Sequence, residues 1–129
     1  MEKYVVSLKL AKKLIEAGYK KETQFYWYEI KVSKGIDDNN PITIYRVSDC
    51  YWDNDYEVSK KICSAPLTDE LLKELPKKIK DALLKIECDK QWLIFYDIDN
   101  TIDKIKTWSM DNKLPNAIAK LLIWYYKNK

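Results

Sequence analysis

The sequence predicts an α+β fold in which an antiparallel sheet packs against three helices in a single domain, residues 1–129. Segments with helical periodicity lie near the start, the middle and the end of the chain, and each is bounded by residues typical of helix ends. Between these segments, aromatic and β-branched residues alternate with short polar turns, as in antiparallel hairpins. One domain is expected because the chain contains neither a linker nor an internal repeat.

The first helix is predicted over residues 7–17. Ser7 is suited to cap its first turn, and Gly18 supplies the left-handed conformation that commonly ends a helix. The apolar side of this helix consists of Leu8, Ala11, Leu14 and Ile15.

A short central helix is predicted within residues 65–76. Thr68 is expected to cap it, and Asp69 and Glu70 then lie at the positive end of the helix dipole. Leu67 and Leu72 have the spacing of a hydrophobic staple. The predicted apolar face consists of Leu71, Leu72 and Leu75, and the helix is expected to stop at Pro76.

The last helix follows Asp111 and Asn112, with Pro115 in its first turn. Its apolar stripe is wide, so the helix is expected to pack across a sheet. The stripe consists of Ala117, Ile118, Leu121, Leu122, Trp124 and Tyr125.

Two N-terminal strands are predicted, at residues 24–32 and 42–47, with a polar loop between them that favours antiparallel pairing. Residues 49–57 are interpreted as an aromatic and acidic loop that leads to a short strand before Cys63. Residues 77–86 fit either a helix or a strand. The polar pair Asp89-Lys90 followed by alternation over residues 92–97 favours a strand and a hairpin. With a second turn at Asp99-Asn100 and a strand over residues 101–108, the C-terminal part is predicted to be a three-stranded meander.

Composition excludes several classes of site. The chain has no histidine and two glycines, which excludes histidine-dependent nucleophiles and glycine-rich phosphate loops. Its three cysteines are widely spaced and are interpreted as buried free thiols. No cofactor and no metal is therefore expected. No run approaches the ~18 apolar residues that span a bilayer, and the N-terminus lacks an apolar signal region, so a cytoplasmic protein without a membrane association is expected.

The charge pattern argues against nucleic acid as the main partner. Net charge is +3, and Arg46 is the one arginine, although arginine is the usual reader of bases and phosphates. The alternative is a nucleic-acid or nucleotide binder in which exposed aromatics accompany a basic patch. The lysines considered for such a patch are Lys20, Lys21, Lys60, Lys61, Lys77, Lys78 and Lys80.

The run Asp97-Ile98-Asp99-Asn100-Thr101 resembles the first motif of the haloacid dehalogenase phosphatases. That resemblance implies Asp97 as nucleophile, Asp99 as general acid/base and a bound Mg²⁺. The residues after Thr101 are too few for the parallel sheet that this family requires. The protein is therefore expected not to be an enzyme, and Mg²⁺-dependent phosphatase activity is kept as a remote alternative.

Aromatic residues are abundant, with five Trp and ten Tyr. Most are expected in the core, but adjacent aromatics point in different directions, so some must be exposed or lie at an interface. This pattern predicts a protein partner or a homodimer. The candidate binding residues are Tyr26, Trp27, Tyr28, Trp52, Trp124 and Tyr126.

The order of four segments resembles a family of small uncharacterised phage and prophage proteins. These segments are residues 7–19, 22–28, 65–76 and 116–124. The resemblance implies no catalytic residue and implies origin in a phage or prophage. The prediction is therefore a non-enzymatic accessory protein in the cytoplasm of a bacterial host, acting by binding a host protein, for example as an antagonist of host defence.

Overall fold

The computed structural model describes residues 2–35, 37, 39–50, 57–97 and 108–129. It confirms the α+β class, with three helices and two antiparallel sheets. A short 3₁₀ turn, Glu2–Tyr4, precedes them. In chain order the elements are α1 (Leu8–Ala17), β1 (Tyr26–Val32), β2 (Ile42–Ser48), β3 (Glu57–Ser64), α2 (Thr68–Leu72), β4 (Lys78–Ile79), β5 (Ala82–Cys88), β6 (Trp92–Asp97), β7 (Trp108–Asp111) and α3 (Leu114–Asn128).

The first sheet has three strands in the order β2-β1-β3. The predicted antiparallel pairing of β1 with β2 is confirmed. The strand before Cys63 is longer than predicted, because β3 pairs with β1 along its whole length and makes β1 the central strand. Ile62 is an extra residue in β3, since Trp27 faces Cys63 while Tyr28 faces Lys61. This bulge lets β3 bend where it leaves the sheet.

The second sheet has four strands in the order β4-β5-β6-β7. It confirms the strand interpretation for the ambiguous segment, which forms β4, a tight turn and the start of β5. The predicted meander is β5-β6-β7, but β7 begins at Trp108, where the predicted strand ended. The turn at Asp99-Asn100 and residues 101–107 lie outside the described residues.

The helices contact both sheets, and together with the N-terminal segment they form an apolar core. Ile118, Leu121 and Leu122 of α3 are at most 1% exposed, as the predicted stripe requires. The same core contains Trp27 from the first sheet and Ile94 from the second. Residues from both sheets therefore pack into the same core as the helices.

The caps of α1 and α2 differ from the predicted ones. Ser7 precedes α1, but its side chain makes no capping bond; its backbone N–H instead donates to Asn116 Oδ1 at 2.9 Å. Leu67, not Thr68, is the capping residue of α2. Glu70 Oε1 accepts the Leu67 N–H at 2.9 Å, so the side chain of the third helical residue satisfies the backbone donor of the capping residue.

The length of α2 is also shorter than predicted, since it ends at Leu72 and not at Pro76. Leu75 nevertheless lies in the core, with 4% of its surface exposed. The turn after the helix positions it there, with Glu74 N–H donating to the carbonyl of Leu71 at 3.0 Å.

Candidate functional site

Two of the aromatic residues predicted to bind a partner lie in the interior. Trp27 is 7% and Tyr28 is 4% exposed, and they project to opposite faces of β1 because consecutive strand residues alternate. The indole Nε1–H of Trp27 donates to the carbonyl of Val6 at 2.9 Å. Both residues therefore stabilise the fold and present little surface to a partner.

Trp124 and Tyr126 are half-buried in the last turns of α3, where they pack against the core. The Tyr126 ring lies beside Gly18, at 4.0 Å from where a Cβ of that residue would be. The ammonium of Lys129 is 5.2 Å from the centre of the same ring. Tyr126 therefore covers the end of α1, and both aromatics pack against the core. Trp52 lies outside the described residues.

Tyr26 differs from its neighbours because it lines a pocket. The ammonium of Lys61 is 3.7 Å from the centre of its ring, within the range of a cation–π interaction. The pocket is open, has a volume of about 330 Å³, and is lined by Ile15, Tyr19, Lys20, Lys21, Glu22, Tyr26, Lys61 and Ser64. Burial, followed by the charges of Glu70 and Glu74, raises the pKa of Tyr19, so its phenol stays protonated to a higher pH than that of a free tyrosine.

The other lysines of the predicted basic patch lie elsewhere. Lys60 projects to the opposite face of β3, where it borders a depression shared with Glu29, Lys31 and Val58. Lys77, Lys78 and Lys80 are in or beside β4, in the second sheet. The lysines that share the Tyr26 pocket are Lys20, Lys21 and Lys61, and Lys21 is 3.7 Å from a carboxylate oxygen of Glu74.

A larger surface, which the sequence did not single out, lies on the second sheet. Directly opposed residues of antiparallel strands share a face, and the register pairs Phe95 with Trp108 and Leu93 with Met110. This surface, the outer face, consists of Leu83, Lys85, Glu87, Leu93, Phe95, Asp97, Trp108 and Met110. It is largely apolar at its centre.

The helices cover the opposite face of the second sheet. Ile94 and Tyr96, which alternate with the outer-face residues of β6, are at most 1% exposed. Ser109 of β7 is also buried, and its hydroxyl donates to the carbonyl of Ala117 in α3. Because α3 occupies that side, the outer face has no helix against it among the described residues.

Solvent reaches the apolar side chains of the outer face. Trp108 is 62% exposed, Leu83 45% and Met110 40%, while Leu93 and Phe95 are half-buried. An open depression of about 760 Å³ continues from Leu93 and Met110 to the turn between β5 and β6. Contiguous exposed apolar surface of this kind marks interaction sites in folded proteins.

The charged groups of the outer face lie beside the apolar centre. Lys85 Nζ forms an ion pair with Asp97 Oδ2 at 3.0 Å, so these two charges compensate each other. Glu87 borders the depression together with Asp89 and Lys90. The rim there carries two carboxylates and one ammonium, which favours a basic group on a partner.

The residue pattern of these strands explains why the sequence did not predict the outer face. Leu83, Leu93 and Phe95 alternate with Leu84, Ile94 and Tyr96, so both faces of these strands look apolar. Periodicity shows that two faces exist, but which one a helix covers depends on contacts between distant segments. The one available signal was Trp108 with Met110, two bulky residues at strand spacing.

The residues implied by the phosphatase resemblance are not brought together as a described site. Asp97 is the last residue of β6 and is paired with Lys85, and Asp99 lies outside the described residues. Over the described ranges, no three Cys, Asp or Glu side chains are grouped in a way that could hold a metal ion.

The cysteines are free, as predicted, but none of the three is fully buried. Cys50 and Cys88 are exposed and Cys63 is half-buried. Burial raises the pKa of the Cys63 thiol, although the charge of Lys12 acts in the opposite direction. The raised pKa keeps the thiol in its less reactive protonated form. The expectation of three buried thiols was wrong because Cys50 follows an edge strand and Cys88 ends β5 at a turn.

Comparison of the chain with protein-family models, with curated proteins and with solved structures finds no match. None of the helices in the described part of the chain is long and apolar enough to cross a membrane.

Proposed function

We propose that this protein works by binding another protein through the outer face of the second sheet. The observation that carries the proposal is the exposure of Trp108, 62% of whose surface is open to solvent beside Met110 and Phe95. Tryptophan and methionine are enriched in interface centres because each buries a large area when a partner covers it. The apolar middle of the outer face, Leu93, Phe95, Trp108 and Met110, has the composition of such a centre.

The arrangement of the surface supports binding rather than catalysis. The apolar residues are contributed by three paired strands, β5, β6 and β7, so they are held on a rigid sheet. A preorganised surface loses less conformational entropy when it binds. Lys85 and Asp97 lie beside the centre as an ion pair, so a partner that covers them buries a compensated pair and not two isolated charges.

The expected partner is a bacterial host protein, in keeping with the resemblance of the chain to phage and prophage proteins. An accessory role such as the antagonism of host defence fits a small binding protein. This part of the proposal rests on the resemblance, while the position of the binding surface rests on the geometry of the second sheet.

Affinity capture from bacterial lysate with matched variants tests the proposal. Trp108→Ala should reduce capture of the partner at least tenfold, since central tryptophans commonly contribute about 2 kcal/mol or more to binding. Val58→Ala is the matched control, because Val58 is 49% exposed but lies in the first sheet. Equal capture by the wild type and both variants would show that the outer face is not the binding surface, as would the absence of any captured protein.

A second candidate function is the binding of a nucleotide or single-stranded nucleic acid at the Tyr26 pocket. The observation that favours it is the convergence of Lys20, Lys21 and Lys61 on a pocket with an aromatic ring. Ammonium groups bind phosphates, and an aromatic side chain is the usual stacking partner of a base.

Titration with ATP and with oligo-dT at about 50 and 200 mM salt tests this candidate, since phosphate contacts weaken steeply as salt rises. Lys61→Gln should weaken binding several-fold. Lys60→Gln should not, because Lys60 projects to the other face of β3. Binding that ignores salt, or that responds equally to both variants, would exclude the pocket.

A further inference from the structure

The edge strand β2 has the features of a strand that pairs with another strand. Among the strands that the structure describes, it pairs with β1 alone and forms one edge of the first sheet. Its seven residues, Ile42–Ser48, include no proline or glycine and one charged residue, Arg46. Ile42 and Tyr45 are 58% and 50% exposed. Long, apolar, regular edges of this kind present free backbone donors and acceptors.

The opposite edge of the same sheet is protected against pairing. β3 carries Glu57, Lys60 and Lys61, and its bulge at Ile62 interrupts the regular ladder. Charged side chains and bulges are the devices by which natural sheets block edge-to-edge association. The edges of the second sheet are short, because β4 has two residues and β7 has four. Of the edge strands in the described part of the chain, β2 is therefore the one that combines length with a regular, weakly charged sequence.

We propose that β2 pairs antiparallel with β2 of a second copy of this chain, with Tyr45 on the twofold axis. This register places Ile44 opposite Arg46, Thr43 opposite Val47 and Ile42 opposite Ser48. No like charges face each other, and the two Tyr45 rings form an aromatic cross-strand pair. The two first sheets then continue as one sheet through an isologous interface, in which the same patch is used by both subunits.

A second copy is the occupant that this strand fits best because its sequence is complementary to itself. The one charge, Arg46, lies off the axis and is directly opposite an apolar residue of the other copy, so twofold pairing places no two like charges directly opposite each other. The buried area of a single strand pair is small, and we expect a reversible dimer with a dissociation constant on the order of 10 μM. The surface is separate from the outer face, so dimerisation and partner binding are independent.

Sedimentation velocity over a range of concentrations tests the proposal. The wild type should pass from monomer to dimer as concentration rises. Tyr45→Lys should weaken the dimer at least tenfold, because it places two ammonium groups opposite each other on the axis. Val58→Lys is the matched control, since it adds the same charge at an equally exposed position on the β3 edge and should dimerise like the wild type.

A cross-linking experiment keeps the test independent of the folding of the lysine variant. In a Cys50→Ser, Cys88→Ser background, Tyr45→Cys should form a disulfide-linked dimer on mild oxidation, because opposed residues of antiparallel strands have Cα atoms about 4.5–5.5 Å apart. Val58→Cys should not. A wild type that stays monomeric at about 1 mM, a Tyr45→Lys variant that dimerises normally, or a dimer lost instead in Trp108→Ala would each overturn the proposal.

Discussion

Hydrogen bonds between distant residues connect separate segments of the chain through the core. Trp27 Nε1–H donates to Val6, the Ser7 N–H donates to Asn116 Oδ1, and the Tyr96 hydroxyl donates to the carbonyl of Pro76 at 2.6 Å. Within the described residues, no buried side-chain nitrogen or oxygen lacks a partner. Such bonds contribute little net free energy when made, but a buried group left without its partner costs more.

Trp27→Phe tests the bond to Val6. The variant keeps an aromatic ring in the core but leaves the buried carbonyl of Val6 without its donor, and Val6 is 0% exposed. We expect the free energy of unfolding to fall by about 1–3 kcal/mol, measured by urea denaturation. Trp108→Phe, at an exposed site, should change it by less than about 0.5 kcal/mol. Equal effects of the two substitutions would contradict the structural role assigned to Trp27.

The raised pKa of the Tyr96 phenol predicts how the free energy of unfolding changes at alkaline pH. Burial, with a smaller effect of Tyr125, raises the pKa of the Tyr96 phenol from 10.0 to about 12. The unfolded chain therefore loses this proton first as pH rises, so the stabilising contribution is complete below pH 10 and is lost between pH 10 and 12. The loss from one such group is at most about 1.4 kcal/mol per pH unit.

Urea midpoints at a series of pH values check this expectation. The wild type should lose stability above pH 10, and Tyr96→Phe should be less stable at neutral pH but show a shallower fall above pH 10. Part of the fall should remain, because burial also raises the pKa of Tyr19. Parallel curves for the wild type and the variant would show that Tyr96 does not contribute to the pH dependence.

At the scale of single elements, the end of α1 shows how a few consecutive residues determine where a helix stops. The N–H of Gly18 donates to Ile15 and the N–H of Tyr19 donates to Leu14, each at 3.1 Å, which is the Schellman arrangement of a helix C-terminus. Gly18 adopts φ 126°, in the region that favours glycine. The end of α1 was predictable because Gly18 and the two hydrogen bonds that end the helix lie within the six residues from Leu14 to Tyr19.

Gly18→Ala should destabilise the protein through backbone strain. The added Cβ would meet the Tyr126 ring at an ordinary contact distance of 4.0 Å, so the cost arises from φ alone and should be about 1–2 kcal/mol. Gly35→Ala is the matched control, because nothing lies within 4 Å of its Cβ position. Thermal melting of both variants makes the comparison, and a lower melting temperature for Gly35→Ala than for Gly18→Ala would contradict it.

Leu71→Asp tests the assignment of the buried face of α2. Leu71 is 0% exposed, and a carboxylate there would lie in the core without a partner, so we expect no cooperative melting transition. Leu72→Asp should be milder because Leu72 is half-buried. Circular dichroism melting curves distinguish the two, and a wild-type transition in Leu71→Asp would place the wrong face of α2 in the core.

At the scale of the whole molecule, both sheets depend on the same helical layer. Trp27, Ile94 and Leu122 belong to one core cluster, although they come from the first sheet, the second sheet and α3. The N-terminal segment adds a further connection, because Val5 pairs with Leu67 and the Val6 N–H donates to Pro66. We therefore expect the sheets to unfold together.

Ile94→Ala tests this cooperativity. Ile94 is 0% exposed, and its truncation should cost about 2–5 kcal/mol. Native-state hydrogen exchange should show lower protection for the amides of β1 as well as those of β6, since global unfolding exposes both. Unchanged protection in β1 would mean that the two sheets unfold as separate units.

The sequence predicted the elements better than it predicted the surfaces. The three helices, the β1–β2 pair and the hairpin of β5 and β6 follow from periodicity, caps and turns, which are local signals. The length of β3 and the cap of α2 were wrong by a few residues, and β7 begins at Trp108, where the predicted strand ended. Strand ends and the reach of Glu70 to Leu67 depend on the packed structure. Among the predicted site residues, Tyr26 lines a pocket and Trp27 lies in the core. The composition of the chain does not predict which of two adjacent aromatic residues is accessible.

The class of fold, the helix faces and the absence of histidine-based chemistry follow from residue types and their spacing along the chain. The exposure of Trp108 on the outer face and of the β2 edge does not. Trp27 and Trp108 are the same residue type in similar strands, yet one is 7% and the other 62% exposed. The difference arises because Trp27 lies on the face of β1 that packs into the helical core, whereas Trp108 lies on the face of β7 turned away from α3. Which face is covered depends on contacts between residues far apart in sequence.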